Sequence, residues 1–505
     1  MGNLDTFDYL CKLIQTIILV KYMSNSDSYY INTNAKTKIV CTLGPSSDSL
    51  ETLEELVLAG MSVARLNMSH GDIDTHTKVI NRVKEVSEKL KRPVGIMVDV
   101  PGAKYRTGEL ISDSITIESN SQLTLTSEIV TGDTSRLSVL PSGIHLDADQ
   151  GRTILVDDGK IELKVIDVQN LDVICTVIRG GEITPRRGVV TPGKASSQKF
   201  PDPKAAECLK FAAANGADFV ALSNVTRREE IWIARSILRE HGMNQPFIIS
   251  KIEKAEAIEN LDEVIEVSDA LMVARGDMGV EVPLHQVPII QKDLIRRSNA
   301  AGKPVITATQ MLESMIKSSS PTRAEVTDVA NAVFDGTDAI MLSAETSVGD
   351  YPVDSVKFMS LIAIEAENSL PYESMMSDRY INLKPQTEDS ISFAACQIAF
   401  QLNSELIIAF TESGNSAGRV SRYRPKAKIL ALTKWDNVKN KLTLSWGVFP
   451  VVTDNLTSID DFFTLGERES LKILGNDATG NVILVAGTPI GIPGSTNFLR
   501  VLQLN

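Results

Sequence analysis

The segments KPVITATQ (Lys303–Gln310), RAEVTDVANAVFDG (Arg323–Gly336) and DAIMLSAE (Asp338–Glu345) follow one another along the chain. The first and last are short apolar, β-branched runs of strand type. The middle one has helical spacing and closes on glycine, as a helix C-terminus does. Together they spell strand, helix, strand. The same rhythm starts near Lys36, with TKIVCTLG, MSVARLNM, VGIMVDV, ADFVALSN, PFIISKIE and ALMVARGD preceding the two strands above. Helical patterns such as TLEELVLAG and IWIARSILREHG lie between them. Eight such runs, each leading into a helix, predict an α/β fold of the (β/α)8 barrel type.

The rhythm breaks once, after the third strand. Across residues 105–194 the helical period gives way to short alternating runs (SITIE, QLTLT, RTILVDDGKIELKVIDV, DVICTVI) parted by Asp, Gly and Asn. This predicts an all-β domain inserted into a barrel loop. Beyond the eighth strand, a polar stretch, MMSDRYINLKPQTEDS, reads as a linker. The runs ISFAACQIAFQL, ELIIAF, SAGRVSRY, AKILALT and NVILVAG then predict a small C-terminal α/β domain. The expected boundaries are an N-terminal appendage at 1–34, barrel segments at 35–104 and 195–370, the inserted β domain at 105–194, and the C-terminal domain at 371–505.

At 505 residues and 55.0 kDa the chain is too long for one core. A hydrophobic content of 43% gives it enough material for several. Its formal charge of −13 argues against nucleic acid as a partner, because neutralising phosphates needs a basic face. A small anionic substrate needs only a local cationic pocket. Five scattered cysteines (Cys11, Cys41, Cys175, Cys208, Cys396) without paired spacing suggest reduced thiols in a cytoplasm. YLCKLIQTIILV (Tyr9–Val20) is too short for a membrane span and contains Lys12, so no membrane association is expected. Asp5 and Asp8 stand where a signal peptide carries positive charge.

In a barrel of this type the C-terminal strand ends form the active face. Those ends supply Arg65, Asn67, Ser69 and His70, Asp99, Ser223, Lys251 and Glu253, Asp277, Thr309, and Ser343 with Glu345. Singly each has a plain explanation. Glu253 suits a first helical turn, Asp277 a surface turn, and Ser69-His70-Gly71 a helix cap. Converging on one rim they mean more. Two carboxylates on adjacent strands suit Mg2+ or Mn2+, which bind oxygen and share it with phosphate. Arg65, Arg106 and Lys251 add positive charge for a phosphoryl group. The chemistry indicated is metal-assisted work on a small phosphorylated or carboxylated substrate.

Over nearly the whole chain from Thr37, these segments resemble pyruvate kinase: TKIVCTLGPSS, GMSVARLNMSHG, IISKIE, DALMVARGDMGVE, GKPVITATQMLESMI and PTRAEVTDVANAVFDGTDAIMLSAET. The resemblance implies phosphoryl transfer from phosphoenolpyruvate to ADP, giving pyruvate and ATP as the final step of glycolysis. By position, Arg65 and Lys251 would bind the phosphoryl group, Lys251 also stabilising the enolate. Glu253 and Asp277 would hold the metal. Gly276 and Thr309 would contact phosphoenolpyruvate, with Thr309 and Ser343 near the proton path. Asn67, His70, Arg106, Asp158 and Arg187 would face the nucleotide, Asp158 and Arg187 from the inserted domain acting as a lid. Asn67, Ser69, Asp99 and Val100 would form the monovalent-cation region. A cytoplasmic homotetramer is implied as well, with the C-terminal TESGNSAG (Thr411–Gly418) as a phosphate cradle for an effector. Two other functions compete: a barrel lyase acting on phosphoenolpyruvate or 2-oxo acids, and a non-catalytic metabolite sensor.

The chain departs from the family at three places. Where the family has D-T-K-G-P-E-I-R or D-L-Q-G-P-K-I-R, this chain reads Asp99-Val100-Pro101-Gly102-Ala103-Lys104-Tyr105-Arg106. The usual Ser-Phe is Ser223-Asn224, and GVVTPGKASSQKFPDPK replaces G-V-N-L-P-G and its acidic continuation. Lys104 and Val100 match members that work without K+, so Lys104 is expected to stand in for the ion and K+ not to be required.

Overall fold

The structure is a computed structural model that describes residues 35–194, 197–381, 386–454, 456, 458–489 and 496–504. The expected N-terminal appendage, 1–34, lies outside the described residues. The chain divides into two compact units. One holds residues 39–86 and 94–359; the other holds 360–505 with the described residues up to Lys38 and Ser87–Pro93.

Eight strands close the barrel: β1 Lys38–Thr42, β2 Met61–Asn67, β3 Gly95–Val100, β4 Phe219–Leu222, β5 Ile248–Ile252, β6 Ala270–Ala274, β7 Val305–Ala308 and β8 Ala339–Leu342. Their order around the barrel is their order in the chain, and β8 lies next to β1. All eight correspond to the apolar runs read from the sequence. They are buried almost throughout, as parallel strands covered by helices must be. The helix Arg323–Asp335 shows how the opening stretch punctuates itself. Thr322 and Glu325 form a reciprocal capping box at its start, and Gly336 ends it in the left-handed region at φ +93. Register then sets the height of each rim residue: Thr42 pairs with Arg65, Asn67 with Asp99, and Asp99 with Ala221.

After β3 the chain enters a second closed barrel of seven short strands. In ring order these are Asp172–Arg179, Gln122–Thr126, Arg136–Leu140, Tyr105–Thr107, Gly188–Val190, Thr153–Val156 and Ile161–Gln169. Ile115–Ile117 and Gly181–Ile183 form a separate ribbon. Alternate side chains (Leu123, Leu125, Ile154, Leu163, Val173, Cys175) fill its core. RLSVL (Arg136–Leu140), Tyr105–Thr107, Gly181–Ile183 and Gly188–Val190 escape the sequence pattern, because so few residues barely display a period.

The C-terminal unit carries a five-stranded sheet in the order Val448–Val452, Lys428–Thr433, Leu406–Phe410, Gly480–Gly487, Thr496–Leu504. Only the last strand pairs antiparallel. The expected linker is largely helical: Tyr372–Ile381 and Thr387–Gln401 occupy most of it, and 382–385 lie outside the described residues. Polar composition misled there, since an amphipathic helix needs only one apolar face. No helix among the described residues is long and apolar enough to cross a membrane, and no disulfide joins the described cysteines.

Candidate active site

The strand ends of β1 to β5 bring four charges into one buried cluster. Arg65 Nε donates to Asp99 Oδ2 at 2.8 Å, and its Nη1 to Thr42 Oγ1 at 2.7 Å. Lys251 Nζ donates to Asp99 Oδ1 at 3.2 Å and to Ser223 Oγ at 2.7 Å, and lies 3.0 Å from Glu253 Oε1. Asp99 and Glu253 are 1% and 0% exposed, and Arg65 and Lys251 each 7%. Such burial disfavours charge on any one of them alone. Lys251 illustrates the balance. Burial works to lower its pKa, but Asp99 and Glu253 outweigh it and hold the pKa above the ordinary lysine value. Asp99 is likewise opposed by burial, and Lys251 and Arg65 hold its pKa below the usual carboxylate range.

Glu253 Oε2 accepts from the Asn224 backbone at 3.2 Å. Its Oε1 has Lys251 beside it but no directed hydrogen-bond donor, a buried oxygen left open on one side. Asp277, at the start of the helix Arg275–Glu281, shares the same cleft and is half exposed. Its Oδ1 accepts from Lys104 Nζ at 2.5 Å. Burial tends to raise its pKa, but Lys104 reverses this and lowers it. One open buried oxygen and one accessible carboxylate form a donor set suited to a hard divalent cation that completes its shell with water and substrate phosphate. Lys104 is held protonated against partial burial by Glu253 and Asp277.

Lys104 therefore points its charge at the carboxylate pair. Three of the residues expected around a monovalent cation accept hydrogen bonds within the protein. Both Asp99 oxygens are used as described, the Val100 carbonyl accepts from Ser223 N at 3.2 Å, and Asn67 Oδ1 accepts from Ser69 N at 3.2 Å.

A cleft of about 300 Å3 opens above Glu253 and Asp277 toward the inserted domain. It brings together His70, Lys104, Arg106, Asp158 and Arg187, all exposed side chains. Arg65, Asn67, Ser69, Asp99, Val100, Lys251, Gly276, Thr309 and Ser343 lie outside its lining. Gly276 N donates to Thr309 Oγ1 at 2.8 Å, so these two expected substrate contacts hold one another. Ser343 N donates to buried Glu345 at 2.7 Å.

Arg275, not among the residues expected from the sequence, directly follows β6 and organises this side of the rim. Its guanidinium donates to the carbonyls of Ala308 at 3.2 Å and Thr309 at 2.6 Å, and to Asp328 at 2.8 Å. Thr309 and Gln310 both have positive φ, +69 and +53, a costly conformation for a β-branched threonine. The arginine supports the strained turn that presents the Thr309 hydroxyl. Its place beside Gly276 in ARGDMG was the available signal.

The departures from the family pattern prove to be partners. Asn224, at φ +57, donates Nδ2 to Ala103 O at 3.2 Å. A Cβ on Gly102 would come within 2.6 Å of that Nδ2, so the Asn224 arrangement requires glycine in the loop after β3. The Tyr105 hydroxyl donates to Asp147 at 2.7 Å and meets Ser197 Oγ at 3.2 Å and Gln198 Nε2 at 3.1 Å. Burial, with Asp147 adding to it, pushes the Tyr105 pKa up to about 12. The altered stretch after Gly188 thus packs onto the altered residue before Arg106.

A closed eight-stranded barrel with an inserted β domain, paired carboxylates and buried cations is the frame a phosphotransferase site uses. The family model for the pyruvate kinase barrel domain matches residues 34–356, and that for the pyruvate kinase alpha/beta domain matches 389–502. The pyruvate kinase of Clostridium acetobutylicum is 41% identical over 468 residues, covering 92% of this chain and 99% of that protein. That of Bacillus licheniformis is 42% identical over 468 residues, 92% of this chain and 80% of its own length. That of Staphylococcus aureus strain MRSA252 is 41% identical over 469 residues, with the same two coverages. The chain belongs to the pyruvate kinase family.

Proposed function

We infer that the chain transfers the phosphoryl group of phosphoenolpyruvate to ADP and yields pyruvate and ATP. The observation that carries this is the Arg65–Asp99–Lys251–Glu253 cluster beside Asp277. Arg65 and Lys251 bind the phosphoryl oxygens, their charges fixed in advance by Asp99, so little reorganisation accompanies transfer. Lys251, kept protonated, then faces the enolate oxygen. Glu253 and Asp277 would hold Mg2+ or Mn2+, which when bound supplies positive charge at the phosphoryl oxygens. Thr309 and Ser343 line the path for the proton that converts enolate to pyruvate. Arg106, Asp158, Arg187, Asn67 and His70 receive the nucleotide, a role that a lyase would leave unexplained. We place the protein in the cytoplasm, as a homotetramer.

The test is formation of ATP and pyruvate from phosphoenolpyruvate and ADP with Mg2+. Pyruvate without ATP, or no turnover, would overturn the assignment. The same assay in Na+, K+ or a bulky organic cation examines Lys104. Lys104 places an ammonium on Asp277 from within the protein, which supports K+ independence. Activity should be nearly equal in all three salts, and Lys104→Glu should create a K+ requirement. Strong K+ activation of the unaltered enzyme at constant ionic strength would refute it.

A further inference from the structure

Asn224 lies just past β4 at φ +57, a region that asparagine enters more readily than most residues with a Cβ. Its two N–H groups serve different partners. The backbone N donates to Glu253 Oε2 at 3.2 Å, and the side-chain Nδ2 donates to the Ala103 carbonyl at 3.2 Å. Ser223, immediately before it, ties the end of β4 to β3 by donating its N to the Val100 carbonyl at 3.2 Å. One residue therefore reaches both a carboxylate of the candidate metal pair and the loop that carries Lys104.

That loop needs an outside anchor. Residues 101–104 belong to no helix or strand, and Pro101 has no N–H to donate. Among the described residues, the one hydrogen bond to the backbone of 101–104 is that from Asn224 Nδ2 to Ala103 O. The Ala103 carbonyl belongs to the planar peptide group leading into Lys104, so holding it fixes where the lysine side chain begins. From there Lys104 Nζ reaches Asp277 Oδ1 at 2.5 Å. Gly102 permits the close approach, since a Cβ there would meet Asn224 Cβ at 2.9 Å as well as Nδ2. Glu253, for its part, has Asn224 N as its one directed donor among the described residues.

We propose that Asn224 is a positioning residue that sets Lys104 against the Glu253–Asp277 pair, gripping the Lys104 loop by its side chain and Glu253 by its backbone. The proposal rests on the reading of Glu253 and Asp277 as the metal carboxylates. An ammonium fixed on Asp277 competes with a divalent cation for the same carboxylate. Loosening the loop frees that ammonium to leave, and the metal then binds more tightly. Glu253 keeps its backbone donor as long as residue 224 stays in the left-handed region. Asn224 and Lys104 thus act as one unit, and the influence of Asn224 on the metal passes through the lysine.

The test is a double-mutant cycle on the full chain, read by Mn2+ binding from the paramagnetic resonance of the free ion. No substrate is present, so the readout is independent of turnover. Lys104→Met should tighten Mn2+ by about 3–10-fold. Asn224→Gly keeps the left-handed backbone and the donor to Glu253 but loses the amide, and should tighten Mn2+ by about 2–5-fold. Gly102→Ala breaks the same contact from the loop side and should act in the same direction. Tighter binding cannot come from a variant that fails to fold. In the Lys104→Met background, Asn224→Gly and Gly102→Ala should each change affinity by less than about 1.5-fold. Unchanged or weaker Mn2+ binding in Asn224→Gly, or an equal effect with and without Lys104, would overturn the proposal. Failure of the unaltered chain to bind Mn2+ would overturn it together with the metal reading, whereas loss of ATP formation with the cycle intact would count against the phosphotransfer reading alone.

Discussion

Arg65, Asp99, Lys251 and Glu253 are at most 7% exposed and locked into one another at the ends of barrel strands. Lys104, Arg106, Asp158 and Arg187, on the lid side of the same site, are exposed. Arg106 donates to the Arg186 carbonyl at 3.1 Å, and Arg187 donates Nε to Thr184 Oγ1 at 2.6 Å and lies 3.6 Å from Asp157. The difference is one of dielectric and reorganisation. Buried charges held by short bonds act at full strength and stay in place during reaction. Exposed cations are screened by solvent and salt, which suits a partner that must arrive and leave. On the function proposed above, the phosphoryl side is thus prepaid in folding energy, and the nucleotide side is adjustable.

The sharpest way to break this comparison is Lys251→Met. Loss of a preorganised buried charge should reduce kcat by about 10^2–10^3-fold with little change in KM; a normal kcat would remove Lys251 from the chemistry. Asp99→Asn comes next and acts on stability. It leaves Arg65 and Lys251 buried without their shared carboxylate, at a cost of about 3–5 kcal/mol, readable by denaturant titration. The same residue fixes the acid side of the stability profile. Its folded pKa lies below its unfolded value, so its contribution is present above the unfolded carboxylate pKa and is lost as pH falls through the folded one. The Asn variant should lose this acid-dependent component, and an unaltered acid limb would contradict the coupling.

Arg187→Gln tests the exposed side. KM for ADP should rise by about 3–10-fold, kcat should hold, and the difference should shrink at high salt. A kcat effect as large as that of Lys251→Met would erase the distinction between the two sides. Tyr105→Phe is the mildest change. It removes one hydroxyl shared by Asp147, Ser197 and Gln198 at the root of the lid, costing about 1–2 kcal/mol. Its stronger signature should be faster proteolysis of the lid segment, and unchanged cleavage would show that the cluster does not restrain the lid.

Much of the site was legible in advance because a parallel barrel converts strand ends into an active face. Arg65, Asp99, Lys251, Glu253 and Asp277 are found by that rule alone. Arg275 stands at the end of β6 too, but its role was not legible, because its work lies in bonds to the backbone carbonyls of Ala308 and Thr309, one strand further on. Nor did the altered loops announce that they fit together. Gly102 and Asn224, like Tyr105 and Gln198, are remote in sequence and adjacent only once the chain has folded.

By itself the sequence determined the eight strand–helix units, the interruption after β3, and which charged residues stand at the rim. These follow from local period, caps and glycine punctuation, which act over a few residues. Only the tertiary structure decided that Lys251 shares Asp99 with Arg65, that Lys104 turns to Asp277, and that Asn224 ties Ala103 to Glu253. Residues 99 and 251, or 103 and 224, are brought together by barrel register and sheet packing. Their pairing is a property of three-dimensional distance and local dielectric, neither of which a linear pattern encodes.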